Sequence, residues 1–420
     1  MLPFSRVLVS LLVAIAAAAA VRADAPPAGS LTLADAVRQA SAVSPLLGAA
    51  RDRVAASAGA AHQAGRLPNP AAEVRVENWN FHADRPTPRW DNIDFFATFT
   101  QPLELGAKRS ARTAEAAAAR EASASDAERV RHEVTLEAAR CYLAAFRASS
   151  LAGALEKSRA SLSEIVAMMG RRVAEGWSAE ADLLRFRAEL ARAEEALLRV
   201  RLERDRELRL LAALLGEPAP VAASRLVPPS LPGVPAGGAE SLARSALERR
   251  PEVSLARARV AQAREAARLE RARRVPTVGL TAGYERSFGL DTGTAALVIP
   301  LPLFDANAGN VVRAEAEERA ARADLAAVEA RLLAGAAARI EAARELRARA
   351  LTVEEDLVRP ADGAREAASV AFREGASDVL RFLDAQRLFL DARREALDLT
   401  ADAILSAADV RLSLGEEAIP

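Results

Sequence analysis

The chain has 420 residues, with 57 Lys plus Arg and 57 Asp plus Glu, so its formal net charge is zero. This balance argues against a surface that binds nucleic-acid phosphates, and we expect no nucleic-acid partner. The single cysteine, Cys141, cannot form a disulfide within the chain. A chain of this length has room for two or three ordinary domains, or for two copies of one elongated unit.

The N-terminus has the pattern of a secretory signal peptide, which we place at residues 1–23. Arg6 precedes an apolar run over residues 7–20, and Val21-Arg22-Ala23 offers a small-residue cleavage site. No later segment has about 18 consecutive apolar residues, which a membrane-spanning helix requires. We expect export from the cytoplasm, and any contact with a membrane through β-strands. Because no cysteine follows the cleavage site, we expect no N-terminal lipid anchor.

The next elements are a helical stretch and a pair of strands. Residues 31–66 have helical periodicity, with Thr32 as the predicted N-cap and a predicted break at Pro45. Apolar and polar residues then alternate over residues 72–77 and again over 93–100, which predicts two strands, the second ending at Gln101-Pro102. Trp79, Trp90 and Tyr284 are candidates for an aromatic girdle at a membrane interface.

A long helical hairpin follows over residues 105–215, which are rich in Ala, Leu, Glu and Arg and contain no proline. Its one clear break is Glu175-Gly176-Trp177-Ser178. We predict helices over 105–173 and 179–215, with Gly176 ending the first and Ser178 capping the second. At 1.5 Å per residue the first helix is about 100 Å long, which no compact globular domain requires.

The same markers return later in the chain. Glu374-Gly375 lies 199 residues after Glu175-Gly176, and Leu414-Gly415-Glu416 lies 199 residues after Leu215-Gly216-Glu217. This predicts a tandem duplication, with repeats at 24–222 and 239–420 joined by a Pro/Gly-rich linker at 223–238.

The second repeat is predicted in the same order. We expect a first helix to about residue 274, with Pro251 in the place of Pro45, and strands over 277–286 and 292–299. A long helix over 306–373 should be kinked or interrupted at Pro360, and the return helix should cover 378–414.

Four strands cannot close a barrel, and unpaired strand edges are not tolerated inside a bilayer. Three chains would supply 12 strands, enough to enclose a lumen. The alternative is a small soluble sheet. In the long helix, Val130, Val134 and Cys141 form one apolar stripe, and Leu136, Leu143, Phe146 and Leu151 form another. Two stripes suit a helix in the wall of a hollow barrel, although a solid antiparallel bundle is compatible with much of this pattern.

These features resemble the TolC-type outer-membrane efflux protein family over nearly the whole mature chain, with three local motifs similar to those of the family, of which residues 101–109 are similar in particular to its heavy-metal efflux branch. The motifs are residues 101–109 (QPLELGAKR), 299–305 (IPLPLFD) and 373–386 (REGASDVLRFLDAQ). The resemblance implies a mainly α fold with paired β-strands: a trimeric, 12-stranded outer-membrane β-barrel continued by a long periplasmic α-barrel.

The resemblance also implies partners and functional positions. The partners are two further copies of the chain, a periplasmic adaptor protein, an inner-membrane pump such as one of the RND type, and outer-membrane lipid. The residues matched to the periplasmic tips, where the adaptor docks, are Gly176, Trp177, Ser178, Gly375, Ala376 and Ser377. Asp384 matches an acidic ring at the constriction of the channel. The family pattern has a second Asp where this chain has Arg381, which could pair with Asp384, while Asp378 could replace part of the lost charge.

The sequence has no Gly-rich phosphate loop, nucleophile elbow or HExxH motif, and His62, His82 and His132 lie on different predicted elements. We therefore predict no enzymatic activity, no cofactor and no tight metal site. The leading hypothesis is the exit duct of a tripartite efflux system. The alternatives are a periplasmic adaptor, which also uses a long helical hairpin, and a coiled-coil scaffold without a pore.

Overall fold

The computed structural model describes residues 29–78 and 93–419. The predicted signal peptide, Trp79 and Trp90 lie outside these residues. The described part of the first half has these helices and strands: α1 Leu33–Val43, α2 Pro45–Ala64, β1 Ala71–Glu77, β2 Asp94–Glu104, α3 Lys108–Ala174 and α4 Glu180–Leu215.

The second half repeats this order with one of its long helices interrupted. Its elements are α5 Ala239–Arg249, α6 Pro251–Arg273, β3 Thr277–Ser287, β4 Leu290–Val298, α7 Ala308–Val353, α8 Arg359–Arg373 and α9 Val379–Ser413. Among the described residues, no helix combines the length and the apolar character that are needed to cross a bilayer.

Three helices begin at residues that suit the first turn of a helix, which are a threonine N-cap and two prolines. The Thr32 hydroxyl accepts a hydrogen bond from the Asp35 backbone N–H, so Thr32 caps α1 as predicted. Pro45 and Pro251 occupy the first turns of α2 and α6, where a missing N–H costs nothing because those groups have no partner within the helix.

The predicted break near Pro360 is confirmed as a wide turn rather than a sharp bend. A π turn over Glu354–Val358 separates α7 from α8. Pro360 has no N–H to donate to the Asp356 carbonyl, and its ring would collide with that oxygen in a regular α-helix. The chain relieves both problems by widening one turn immediately before the proline.

The four strands form one antiparallel sheet in the order β1-β2-β3-β4, so the two hairpins of the chain pair with each other through β2 and β3. β2 continues to Glu104, beyond the predicted end at Gln101-Pro102, with Pro102 opposite Gly279.

The core is a series of clusters along the long helices rather than one central mass. In α3, Val130 and Val134 pack on α2, while Leu136 packs beside Ala408 and Leu412 of α9. α3 therefore uses separate apolar stripes toward different neighbours, as a helix in a wall must.

The linker after α4 is held against the helices by hydrogen bonds between helix side chains and the linker backbone. The buried Tyr142 hydroxyl lies 2.8 Å from the Leu31 carbonyl oxygen and 2.7 Å from the Val227 carbonyl oxygen, and it accepts a hydrogen bond from Val227 N–H. Arg344 donates hydrogen bonds to the carbonyl oxygens of Pro235 and Gly237. These contacts tie both ends of the linker to long helices.

Candidate functional site

The two helical hairpins reverse direction at glycines in the left-handed conformation. Gly176 has a φ of 79° and Gly375 a φ of 77°. In each turn the residue after the glycine donates a hydrogen bond back five residues: Trp177 N–H to Arg172 O and Ala376 N–H to Ala371 O, both at 2.8 Å. This pattern satisfies carbonyl groups that the helix end would otherwise leave unpaired, and it confirms both predicted Gly turns.

The two turns differ in how they start the return helix. Asp378 is the N-cap of α9, and its carboxylate accepts a hydrogen bond from Arg381 N–H at 2.8 Å. The equivalent position in the first repeat is Ala179, which has no side chain that can cap α4. The prediction that Ser178 caps α4 was therefore wrong: the helix begins one residue too late for its hydroxyl to serve. Trp177, beside it, is 80% exposed.

Arg381 pairs with Asp378 rather than with Asp384. The distance from Arg381 Nε to Asp378 Oδ2 is 3.9 Å, and both side chains are well exposed. The cap geometry explains this choice, because Asp378 already bonds to the backbone of Arg381. Asp384 is exposed on α9, one turn beyond Arg381. The predicted pairing of Arg381 with Asp384 is thus replaced by a pairing toward the turn.

Three buried phenylalanines join the two hairpins just above the turns, and sequence reasoning missed them. Phe186 of α4 lies 5.2 Å from Phe372 of α8 and 5.9 Å from Phe382 of α9 between ring centroids, and Phe372 and Phe382 are 5.5 Å apart. Tilted rings at these separations attract each other in addition to burying apolar area. We call these three residues the phenylalanine cluster.

An ion pair extends this connection between the return helices. The Arg387 guanidinium of α9 donates two hydrogen bonds to the Glu189 carboxylate of α4, at 2.7 and 3.1 Å. The hydrogen bond from Arg387 lowers the pKa of Glu189 below its ordinary value. Neither residue carried a signal in the sequence, since helical periodicity does not show which faces of two helices meet.

The sheet at the other end of the helices has two chemically different faces. Val74 lies opposite Ala97, Ala97 opposite Tyr284, and Tyr284 opposite Gly293, so these residues share one face. The same face carries apolar side chains that are exposed in the single chain: Val76, Phe99, Leu103, Leu280 and Leu297.

The opposite face is polar. Thr98, Gly283 and Thr294 lie side by side across it, and the hydroxyl oxygens of Thr100 and Thr281 are 2.8 Å apart. Its charged residues within the four strands are five acids and one base: Glu73, Glu77, Asp94, Glu104, Glu285 and Arg75. An apolar face and a polar face on one sheet are what lipid on one side and water on the other require.

The two-faced sheet and the long helical hairpins together define a channel protein of the outer membrane. The Outer membrane efflux protein family matches residues 36–217 and 242–416, and this match shows that the chain belongs to that family. The predicted localisation, an outer-membrane protein with a large periplasmic part, is confirmed. The family match supports the efflux-channel hypothesis over the two alternatives, a periplasmic adaptor and a coiled-coil scaffold.

Among individual proteins, the cobalt-zinc-cadmium resistance protein CzcC of Cupriavidus metallidurans is 28% identical over 362 residues, which cover 86% of this chain and 84% of CzcC. The CmeC outer membrane channel of Campylobacter jejuni has a TM-score of 0.78 at 17% identity, covering 91% of this chain and 85% of CmeC. The outer membrane protein VceC of Vibrio cholerae has a TM-score of 0.71 at 23% identity, covering 92% of this chain and 96% of VceC. The structural likenesses confirm the predicted fold.

Proposed function

We propose that three copies of this chain form the exit duct of a tripartite efflux system, with a 12-stranded barrel in the outer membrane and an α-barrel in the periplasm. The observation that carries this proposal is the sheet with two open edges. Within residues 29–78 and 93–419, β1 pairs only with β2, and β4 pairs only with β3. Unpaired backbone groups at these edges cannot enter a bilayer unless β4 of one copy pairs with β1 of the next.

The helices support the same assembly. α4 packs mainly on α3, and α7 packs mainly on α6 and α9. Each leaves apolar side chains exposed: Leu184, Leu198 and Leu202 on α4, and Val312, Leu333 and Leu351 on α7. One chain therefore carries two different apolar surfaces. A contact between the unlike surfaces of neighbouring copies is head-to-tail, and such contacts generate a ring when the rotation closes.

The periplasmic tips are the proposed contact with an adaptor protein, and through it with an inner-membrane pump, for which the RND type is our proposal. The docking residues are Gly176, Trp177, Ser178, Gly375, Ala376 and Ser377. Asp384, with Asp378 and Arg381 below it, is the proposed constriction, since three copies would place three Asp384 carboxylates around one axis. The duct would have no catalysis of its own, and partner binding at the tips would favour its open form.

The proposed cargo is divalent metal cations such as those of cobalt, zinc and cadmium. Two observations support it: the similarity to a cobalt-zinc-cadmium resistance protein over most of both chains, and the excess of acidic residues on the polar face of the sheet. Rings of carboxylates favour the passage of cations over anions.

We also propose a domain organisation for the chain. It consists of a signal peptide at 1–23, a first repeat at 24–222, a linker at 223–238 and a second repeat at 239–420.

Complementation tests this proposal. The chain, co-expressed with its adaptor and pump, should restore growth on cobalt, zinc or cadmium to a bacterium that lacks its own outer-membrane metal efflux component. Leu202→Glu should abolish both the trimer and the resistance, because it places a charge in the contact between copies. Arg185→Glu, an exposed position on another side of the same helix, should retain both. Resistance conferred by a monomeric protein would contradict the proposal.

A further inference from the structure

The segment that follows β4 exposes an unusual amount of apolar surface. Ile299 is 48% exposed, Leu301 72% and Leu303 75%, and Phe304 is fully exposed. We call residues 299–307 the junction segment. Leu297 of β4 lies on the apolar face of the sheet, opposite Leu280, and Ile299, Leu301 and Leu303 follow within six residues of it, after the end of the strand. Exposed apolar surface therefore follows directly after the hydrogen-bonded sheet.

The junction segment is held in place by polar contacts on its other side. The Asn307 side-chain amide donates hydrogen bonds to the backbone oxygen and the carboxylate of Glu270, at 2.9 and 2.8 Å. Asn307 N–H donates to the Asp305 carboxylate at 2.8 Å. Glu270 is buried, so these contacts fix the segment to the end of α6. The exposed side chains thus project from an anchored backbone.

Two arginines lie beside the apolar side chains. Arg273 and Arg274 line one depression of about 510 Å³ together with Leu301 and Phe304. Arg273 is paired with Glu270 at 2.6 Å. Arg274 is exposed and has no ion-pair partner in the part of the chain that the structure describes. The surface therefore combines apolar groups with a cation at its rim.

We propose that the junction segment and Arg274 form a docking surface for the phospholipids of the membrane leaflet that faces the helical end of the molecule. This inference rests on the proposed membrane barrel, because the barrel fixes the level of the segment at the bilayer edge. Phe304 and the leucines enter the boundary between acyl chains and head groups, and Arg274 contacts a head-group phosphate. Apolar side chains beside cations are the pattern of interfacial membrane contacts, and guanidinium matches phosphate geometry.

The rival occupant is the neighbouring copy of the chain, whose β1 would begin near this point. The position of the segment directly after β4 favours lipid, since the proposed barrel turns the apolar face of that strand toward lipid. The charge at the rim favours lipid as well, because phosphate is the complement of an exposed guanidinium.

A tryptophan reporter distinguishes the occupants. Phe304→Trp is made in a chain in which Trp79, Trp90 and Trp177 are replaced by Phe, and the trimer is reconstituted in phosphatidylethanolamine and phosphatidylglycerol vesicles containing brominated phosphatidylcholine. Val74→Trp in the same background reports on the middle of the sheet, and a chain that keeps only Trp177 reports on the tip. Leu301→Trp is a second reporter if Phe304→Trp does not assemble.

We expect bromines near the head groups to quench the Phe304→Trp reporter most strongly, deeper bromines to quench Val74→Trp, and no bromine to quench Trp177. A quenched Val74→Trp with an unquenched reporter in the junction segment would overturn this inference while leaving the barrel intact. If neither is quenched, the proposed membrane barrel fails as well. A disulfide formed between copies by Phe304→Cys and Leu67→Cys would assign the surface to the neighbouring chain and overturn the inference.

The contribution of Arg274 is measured separately. Arg274→Gln should weaken binding of phosphatidylglycerol to the detergent-solubilised trimer by about fivefold, since one cation near an anionic surface contributes on that scale. Arg268→Gln removes an exposed charge from α6, six residues before Arg274, and should leave the affinity unchanged. Equal affinities for the Arg274→Gln and Arg268→Gln proteins would remove Arg274 from the surface.

Discussion

Arg387 and Glu189 connect the return helices of the two hairpins through two hydrogen bonds, 2.7 and 3.1 Å long. The contact lies just beyond the phenylalanine cluster and joins the two halves of the chain near the proposed constriction. Any opening that separates α4 from α9 must break it. We therefore expect this ion pair to stabilise the resting form of the duct, and we call Arg387 and Glu189 the latch.

The contact between Arg387 and Glu189 should weaken as the pH falls. Hydrogen bonding to Arg387 lowers the pKa of Glu189 below its ordinary value of 4.5. A carboxylate with a depressed pKa stabilises the folded contact fully above that ordinary value, and the stabilisation is lost as the pH falls through the lower folded pKa. We expect the resting conductance of the reconstituted protein to rise in this acidic window. Glu189→Gln should raise the conductance at neutral pH and remove the acid response.

Glu195→Gln is the matched control for the latch, because Glu195 is an exposed acid on the same helix that pairs with Arg199, one turn away. It should leave both the neutral conductance and the acid response unchanged. An acid response that persists in the Glu189→Gln protein would assign it to other groups.

The phenylalanine cluster should contribute more to the stability of the hairpin tips than the Arg387–Glu189 ion pair does. Phe382→Ala leaves a cavity at a fully buried site, and such truncations cost about 3–5 kcal/mol. Hydrogen exchange followed by mass spectrometry should show faster exchange in both hairpins near residues 162–193 and 372–390. The half-buried Phe146, which packs far from the tips, provides the control in Phe146→Ala. Unchanged exchange at the tips of the Phe382→Ala protein would contradict the role of the cluster.

The turn glycines should be sensitive to backbone strain alone. A Cβ at Gly176 or Gly375 would meet no atom within 4 Å, so Gly→Ala creates no collision at either position. The left-handed conformation nevertheless costs a residue with a Cβ about 1–2 kcal/mol. Gly170→Ala, inside α3 and with equally open surroundings, should instead stabilise the helix by about 1 kcal/mol. Thermal unfolding of the three variants measures this contrast, and equal shifts would rule out strain as the cause.

Tyr142 should couple the linker to the long helices. Tyr142→Phe removes the hydroxyl between Leu31 and Val227, whereas the direct hydrogen bond from Val227 N–H to the Leu31 carbonyl oxygen remains at 3.2 Å, so we expect a loss of about 1 kcal/mol. Burial raises the pKa of Tyr142 to about 12, so the hydroxyl stays neutral and the contact should not vary with pH between 5 and 9. The variant should lose thermal stability and become susceptible to protease cleavage near Arg225. Cleavage at the wild-type rate would contradict this coupling.

Much of the fold could be predicted from local chemistry. Helix-forming composition, Gly176, Gly375 and the prolines at 45, 251 and 360 act within a few residues, so the sequence shows them directly. The Ser178 cap was wrong because helix starts differ by single residues, and Ala179 takes the position that Asp378 has in the second repeat.

The contacts that join the two hairpins could not be predicted in this way. Phe186 meets Phe372 and Phe382 only after α3, α4, α8 and α9 have packed, and the periodicity of each helix is compatible with several neighbours. The pairing of Arg387 with Glu189 could not be predicted either, because it also depends on which helices become neighbours. Arg381 had two acidic residues at the same spacing, and only the cap geometry of Asp378 decided between them.

The proposed constriction makes a further prediction about selectivity. Asp384→Asn should reduce the preference of the channel for cations, because it removes three carboxylates from the axis of the trimer. Glu156→Gln, an exposed acid of α3 that pairs with Arg201, should leave selectivity unchanged. Reversal potentials under a salt gradient measure both variants. Identical potentials for the Asp384→Asn and wild-type proteins would place the constriction elsewhere.

The enclosure of a passage by three copies of the chain is tested most directly in a planar lipid bilayer. Purified, folded protein should add conductance in discrete steps of uniform size that favour cations. A folded oligomer that inserts into the bilayer and produces no conductance steps, even when its adaptor and pump are supplied, would contradict the account.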